Sequence, residues 1–211
     1  MNQSNATSII FDLDGTLADS MSIGLDILNE MYLVDRVITR EDYERTKNLT
    51  IKAIFKEFGV PLWRAPQMAV RARTEITKRI DEIPFFEGMD DTIKALAKKH
   101  RLFVMSSNSL VNVQKFLELH NVREPFEQIY GGAGIFGKAK VLNRVVRQHG
   151  LDKAKTYYVG DEVRDVIAAK KAGLRPISVT WGFNGEEILA AQHPEHIVRT
   201  PAELKNLFVK E

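Results

Sequence analysis

Two aspartates stand two residues apart in Ser8-Ile9-Ile10-Phe11-Asp12-Leu13-Asp14-Gly15-Thr16, where a short apolar run breaks into a glycine. Side chains alternate along a strand, so Asp12 and Asp14 leave its end on one side and Leu13 on the other. Two carboxylates this close repel one another unless a cation lies between them or one carries a proton, which points to a hard, oxygen-seeking ion such as Mg2+. Gly15 permits a turn, and Thr16 supplies a hydroxyl. A calcium loop does not fit, because counting twelve residues from Asp12 puts Ile23, not Glu, at the closing position.

A second acidic cluster, Tyr157-Tyr158-Val159-Gly160-Asp161-Glu162-Val163-Arg164-Asp165, again follows an apolar strand. Asp161 leaves the strand beside a glycine that allows a sharp bend, and Asp165 comes one helical turn later, so the two can hold a metal from the side opposite Asp12. The same residues also suit a helix N-cap and an acid in a first turn. In Leu102-Phe103-Val104-Met105-Ser106-Ser107-Asn108 a strand ends in small polar groups able to grip an anion or to cap the next helix. Gly132-Ala133-Gly134-Ile135-Phe136-Gly137-Lys138-Ala139 approaches the phosphate loop of nucleotide hydrolases, but Ala139 stands where that loop needs Ser or Thr. A lysine at a helix start opposes the helix dipole unless an anion sits there, so Lys138 reads as a phosphate ligand, with Lys140 as the alternative.

The elements that must position these residues alternate. Helical periodicity dominates residues 20–32, 40–58 and 66–80 with no strand between them. From residue 85 onward, helices at 89–100, 110–120, 140–150 and 163–173 alternate with strands at 102–105, 127–130, 156–159 and 176–180. A last strand at 196–198 and a helix at 201–208 complete the chain. This pattern predicts an α/β fold: a doubly wound, Rossmann-like parallel sheet core (residues 1–16 and 85–211) with an inserted all-α helical cap domain (residues 17–84). In such sheets ligands bind beyond the carboxyl ends of the strands, where Asp12, Ser106 and Asp161 all fall.

The 211 residues carry 30 basic and 28 acidic side chains, a formal net charge of +2, too balanced to imply a nucleic-acid partner. With no cysteine there are no disulfides, thiolate nucleophiles or cysteine-ligated zinc. The polar N-terminus lacks the apolar core of a signal peptide, and no run reaches the roughly 18 apolar residues of a membrane span. A cytoplasmic protein acting on a small molecule, with no membrane partner, is expected.

The order of these features resembles the haloacid dehalogenase-like hydrolase superfamily over nearly the whole chain. The resemblance is carried by Phe11-Asp12-Leu13-Asp14-Gly15-Thr16-Leu17 and by Val159-Gly160-Asp161-Glu162 with Asp165. The helical insertion is similar to the α-helical cap of the phosphoglycolate phosphatase-like branch, and Thr180-Trp181-Gly182-Phe183 resembles a segment common there. The resemblance implies Asp12 as the nucleophile that forms an aspartyl phosphate, and Asp14 as the acid for the leaving alcohol and then the base for water. It implies Mg2+ held by Asp12, the Asp14 main-chain carbonyl and Asp161, with Asp165 ligating or supporting, and phosphoryl oxygens bound by Thr16, Ser106 or Ser107, and Lys138. Ser106 is preferred because Val113, Phe116 and Leu117 then fall at the family's usual spacing. Ala139 departs from the family's usual proline after the motif lysine.

The implied activity is hydrolysis of a small phosphorylated metabolite such as phosphoglycolate or a sugar phosphate. A phosphomutase would share the same core residues, whereas a haloalkanoate dehalogenase needs no Asp14. A binding protein on this scaffold would retain four carboxylates around one cleft at electrostatic cost. Within the cap, Asp19, Ser20 and Met21 enter near the cleft. Arg71 and Arg73 suit a solvated helix face better than a substrate carboxylate. Ile51, Ile54, Phe55, Phe58 and Trp63 read as the cap's own core. The five histidines fall at helix ends or in the tail and receive no catalytic role.

Overall fold

The computed structural model describes residues 7–31 and 34–209. The polar stretch before residue 7, and Tyr32 at the end of the first expected cap helix, lie outside them. Six strands form one sheet: β1 (Ser8–Phe11), β2 (Arg101–Met105), β3 (Phe126–Tyr130), β4 (Thr156–Gly160), β5 (Arg175–Val179) and β6 (His196–Val198). Their order is β3-β2-β1-β4-β5-β6, and every neighbouring pair is parallel. A parallel strand covered on both faces reads as a near-continuous apolar run, and in β1 Ile9, Ile10 and Phe11 are wholly buried after Ser8.

Alternation along β1 decides which helices meet the first aspartate. Ile9 and Phe11 pack with Leu102, Val104 and Val159 under α5 (Met89–Ala97), α6 (Leu110–Leu119) and α10 (Pro201–Phe208). Ile10 faces the other way and packs with Phe103 and Tyr158 under α7 (Gly134–His149) and α8 (Val163–Ala172). Each large side chain buried here is worth roughly 1.5–3 kcal/mol of transfer free energy. Asp12 continues the parity of Ile10, toward α7 and α8.

Between β1 and α5 the described chain is helical: α1 (Met21–Glu30), α2 (Arg40–Thr46), α3 (Ile51–Glu57) and α4 (Ala65–Lys78), with short 3-10 turns. The periodic run at 40–58 is thus two helices. Thr39 caps the first by accepting the Asp42 N–H at 3.2 Å, and Thr50 caps the second by accepting the Ala53 N–H at 3.3 Å. Two assignments to the cap's core are corrected: Ile51 is 64% exposed and Trp63 68%, while Phe55 is buried. Apolar periodicity identifies a helix face but not whether another element covers it.

Two boundaries also differ from the sequence reading. Helix α7 begins at Gly134, not near residue 140, so Lys138 lies inside the helix. A short helix, α9 (Glu186–Ala190), was not anticipated, being too brief for periodicity to register. No described helix is long and apolar enough to cross a membrane.

Candidate active site

The sheet order reverses direction at β1 and β4, and the crevice beyond the carboxyl ends of that strand pair is where an open α/β sheet binds ligands. Asp12 follows β1 and Asp161 follows β4. Asp12, Asp161 and Asp165 each offer one carboxylate oxygen, these oxygens lie within 4.8 Å of one another, and all three residues are buried. They form a group able to hold a metal ion.

Each carboxylate is aimed by its own partners. Asp12 Oδ1 accepts the Leu13 N–H at 2.9 Å, and Oδ2 accepts from the Lys138 ammonium. Lys138, only 2% exposed, also donates to Asp165 Oδ1 at 2.5 Å. Its place within α7, rather than before the helix, brings it to both acids from the face that Ile10 shares. Asp165 Oδ2 accepts the Glu162 N–H at 3.0 Å, and Tyr158 Oη donates to Oδ1 at 3.3 Å. Glu162, not Asp161, occupies the N-cap position of α8, which leaves Asp161 free of a capping role.

Asp161 is held from two directions: Thr16 Oγ1 donates to Oδ1 at 3.0 Å and the Phe183 N–H to Oδ2 at 2.7 Å. The approach is tight enough to exclude side chains. Gly15, at φ +78°, would carry a Cβ within 2.6 Å of the Asp161 carboxyl carbon. A Cβ on Gly182 would meet the same carboxylate. Trp181 Nε1 pins the turn by donating to the Thr16 carbonyl at 3.1 Å.

Asp14, two residues after Asp12, has its Oδ1 buried and without a hydrogen-bond partner among the described residues. Ser106 is fully buried at the end of β2, its Oγ accepting the Asn108 N–H at 2.9 Å, whereas Ser107 Oγ is 3.5 Å from the Gly134 carbonyl. Neither serine caps α6; Ser109 does, by accepting the Asn112 N–H at 3.2 Å. Lys140 is exposed on the outer side of α7. Arg71 and Arg73 are exposed, and Arg71 donates to the Glu30 carbonyl at 3.2 Å. Ser20 is buried with its hydroxyl unpartnered among the described residues.

Burial dominates the electrostatics. It raises the Asp12 pKa to about 7 even though the Lys138 ammonium opposes it. Burial likewise raises Asp14, against the pull of Lys138 and Arg164. Asp161 is pushed well above the carboxylate range by burial and then by Glu162, Asp165 and Asp12. Burial alone lowers the pKa of Lys138, but Asp12 and Asp165 outweigh it and raise it. Lys138 therefore serves Asp12 and Asp165, and no cation pairs with the Asp161 carboxylate among the described residues.

These shifts have a testable sign. Asp12 keeps its proton to about pH 7 in the folded chain but loses it near 3.8 when unfolded, so across that interval the native state binds more protons and loses stability as pH rises. Asp12→Asn removes this contribution. In EDTA, the melting temperature of the variant minus that of the unaltered protein is expected to grow between those pH values. A difference that stays flat or shrinks would mean that Asp12 is ionised throughout.

Sequence reasoning missed two contributors. Asn108 reads in the sequence as a possible cap, yet its side chain works against the rise that burial imposes on the Asp14 pKa. The Phe183 N–H is a backbone group, for which only the Thr180-to-Phe183 segment gave any signal.

The haloacid dehalogenase-like hydrolase family profile matches residues 9–179. A phosphoglycolate phosphatase of Synechococcus elongatus is 32% identical over 201 residues, covering 93% of this chain and 94% of its own. A pyrophosphatase PpaX of Listeria innocua is 25% identical over 207 residues, with 94% of each chain covered. Among solved structures, a haloacid dehalogenase-like family hydrolase from Streptococcus pneumoniae superposes with a TM-score of 0.78 at 23% identity, covering 97% of this chain and 99% of its own.

Proposed function

Because the chain belongs to the haloacid dehalogenase-like hydrolase family, in its phosphoglycolate phosphatase-like branch, we propose that it is a Mg2+-dependent phosphatase that hydrolyses a small phosphomonoester through an aspartyl phosphate on Asp12. The observation that carries this reading is the convergence of Asp12, Asp161, Asp165 and Lys138 in one buried cluster beyond β1 and β4. The donors are hard oxygens, and the uncompensated Asp161 carboxylate supports a divalent cation there rather than a purely structural ion pair. Asp12, Asp161, Asp165 and the Asp14 carbonyl would hold Mg2+, which supplies charge neutralisation for the phosphoryl group.

In this reading a carboxylate oxygen of Asp12 bonds to phosphorus as the bond to the leaving oxygen breaks. Asp14, whose pKa burial raises, passes its proton to that departing oxygen. The resulting Asp14 carboxylate then takes a proton from water as the water attacks the aspartyl phosphate, releasing inorganic phosphate and restoring Asp12. Lys138 and Ser106, with Thr16 and Ser107 at the margin, bind the phosphoryl oxygens so that phosphate and Asp12 do not repel. Residues 17–84 act as a cap domain over the core formed by residues 1–16 and 85–211, keeping bulk water from the intermediate. The relative from Synechococcus supports phosphoglycolate as the first substrate to try, ahead of sugar phosphates.

The test is phosphate release from p-nitrophenyl phosphate, phosphoglycolate and sugar phosphates, each with Mg2+ and with EDTA. Release is expected with Mg2+, to stop on chelation and to return when Mg2+ is added in excess. A rate indifferent to EDTA would overturn the metal assignment, and no release from any substrate would overturn the phosphatase.

A further inference from the structure

The peptide groups that hold Asp161 are themselves held from the inserted segment. The Phe183 N–H donates to Asp161 Oδ2 at 2.7 Å, and the next N–H, that of Asn184, donates to the Asp161 main-chain carbonyl at 3.3 Å. At the other end of the same two peptides are the Gly182 and Phe183 carbonyls, and both accept from Tyr43 Oη of α2, each at 2.7 Å. One phenol hydroxyl, with a single proton to share, thus meets the pair of peptides whose N–H groups fix the side chain and the backbone of Asp161. A carbonyl that accepts a hydrogen bond polarises its peptide and strengthens what the N–H of that peptide donates.

The seat of α2 on this loop is close. The Gly185 N–H donates to the Lys47 carbonyl at 3.0 Å, and a Cβ on Gly185 would lie 2.1 Å from Asn48 Oδ1. Asn48 Oδ1 also accepts the Ile188 N–H at 3.5 Å. These contacts fasten the end of α2 to the core without touching either peptide that bonds Asp161. On its other side the loop is tied to the start of α8, where Asn184 Oδ1 accepts the Val163 N–H at 2.9 Å.

We infer that Tyr43 is a positioning residue for the metal site: its hydroxyl, carried on a helix of the inserted segment, sets the two peptides that aim Asp161. This rests on the metal assignment proposed above and deepens it, because the affinity of the core for Mg2+ then depends on the seat of α2. The dependence is reciprocal, so that a bound cation favours the seated helix. A hydroxyl that merely fastened α2 would lower the melting temperature without changing the affinity of the folded protein for the cation.

The experiment measures Mg2+ binding by titration calorimetry, with no substrate present, for the unaltered protein, Tyr43→Phe and Asn48→Ala. Tyr43→Phe keeps the half-buried ring and removes the donor, whereas Asn48→Ala loosens the same seat and spares both peptides. Melting curves in EDTA show how much of each change is fastening. The Mg2+ dissociation constant is expected to rise about tenfold in Tyr43→Phe, the lower end of the 10–100-fold that follows loss of a group supporting a metal ligand, and by less than about twofold in Asn48→Ala. The Phe183 amide proton of the metal-free protein, read by NMR, is expected to move upfield in Tyr43→Phe, as the proton of a weakened hydrogen bond does. An unchanged dissociation constant, an unmoved Phe183 amide or equal losses of affinity in the two variants would overturn the inference while leaving the metal assignment standing. Absence of Mg2+ binding by the unaltered protein would overturn both.

Discussion

Asp12→Asn is expected to abolish phosphate release, by on the order of 10⁴-fold or more, in a protein that folds as before; removal of a catalytic nucleophile has effects of this size. The replacement is nearly isosteric. Its carbonyl oxygen can still accept the Leu13 N–H that Asp12 Oδ1 accepts at 2.9 Å, and Lys138 retains Asp165. What is lost is the anionic oxygen that would bond to phosphorus, since a carboxamide is a far weaker nucleophile. A partly buried surface pair would not behave this way, but Asp12 is 3% exposed, and burial already disfavours its charge. Stability should therefore change little or rise slightly near neutral pH. Phosphate release over many turnovers, with a melting curve on the same sample, checks both halves. Undiminished release from a folded Asp12→Asn variant would remove Asp12 from the nucleophile's role.

The second large effect is expected at Lys138. Its ammonium joins Asp12 and Asp165 in a site where all three side chains are no more than 4% exposed. Lys138→Ala leaves two carboxylates facing one another without a cation, and breaking a buried pair by removing one partner typically costs about 3–5 kcal/mol. In EDTA the variant should melt well below the unaltered protein. Excess Mg2+ should narrow the gap, since a cation that binds the folded site stabilises it by mass action. Turnover with Mg2+ present should fall by roughly 10²–10³, the range for loss of one donor to developing charge. Lys140→Ala is the control: that residue is exposed on α7, and its removal should alter neither melting nor turnover. If the losses instead followed Lys140→Ala, the phosphate ligand would have been assigned to the wrong lysine.

Much of the framework can be read from local pattern. The run from Ile9 to Phe11 is apolar because a central parallel strand is covered on both faces, and the alternation of such runs with helical periods fixes a doubly wound sheet. The acids at the ends of β1 and β4 stand out for the same reason: a charge directly after a strand whose end is buried has no packing role there. Backbone chemistry is legible in part, as at Gly15, where positive φ and the nearness of Asp161 admit no side chain.

Where local pattern failed, long-range contacts had decided. Glycines 132, 134 and 137 suggest a loop, yet α7 starts at Gly134, and the helix carries Lys138 to acids on β1 and α8. Trp63 has the spacing of a core residue but is largely exposed, and Ile51 is exposed likewise. Asn108 and Asn112 look like ordinary residues around a helix start, and only the docking of α4 reveals the hydrogen-bonded run from Thr77 through Asn112 to Asn108.

The sequence by itself therefore determined which chemistry is available, because residue type and strand-end position are local properties: carboxylates after β1 and β4, hydroxyls after β2, and a lysine on the helix after β3. Only the tertiary structure decided which of these groups meet. Asp12, Lys138, Asp161 and Asp165 become one cluster because the strand order puts β4 beside β1 and lays α7 and α8 on the face that Ile10 and Asp12 share. That is a matter of how distant segments pack, which no spacing along the chain encodes.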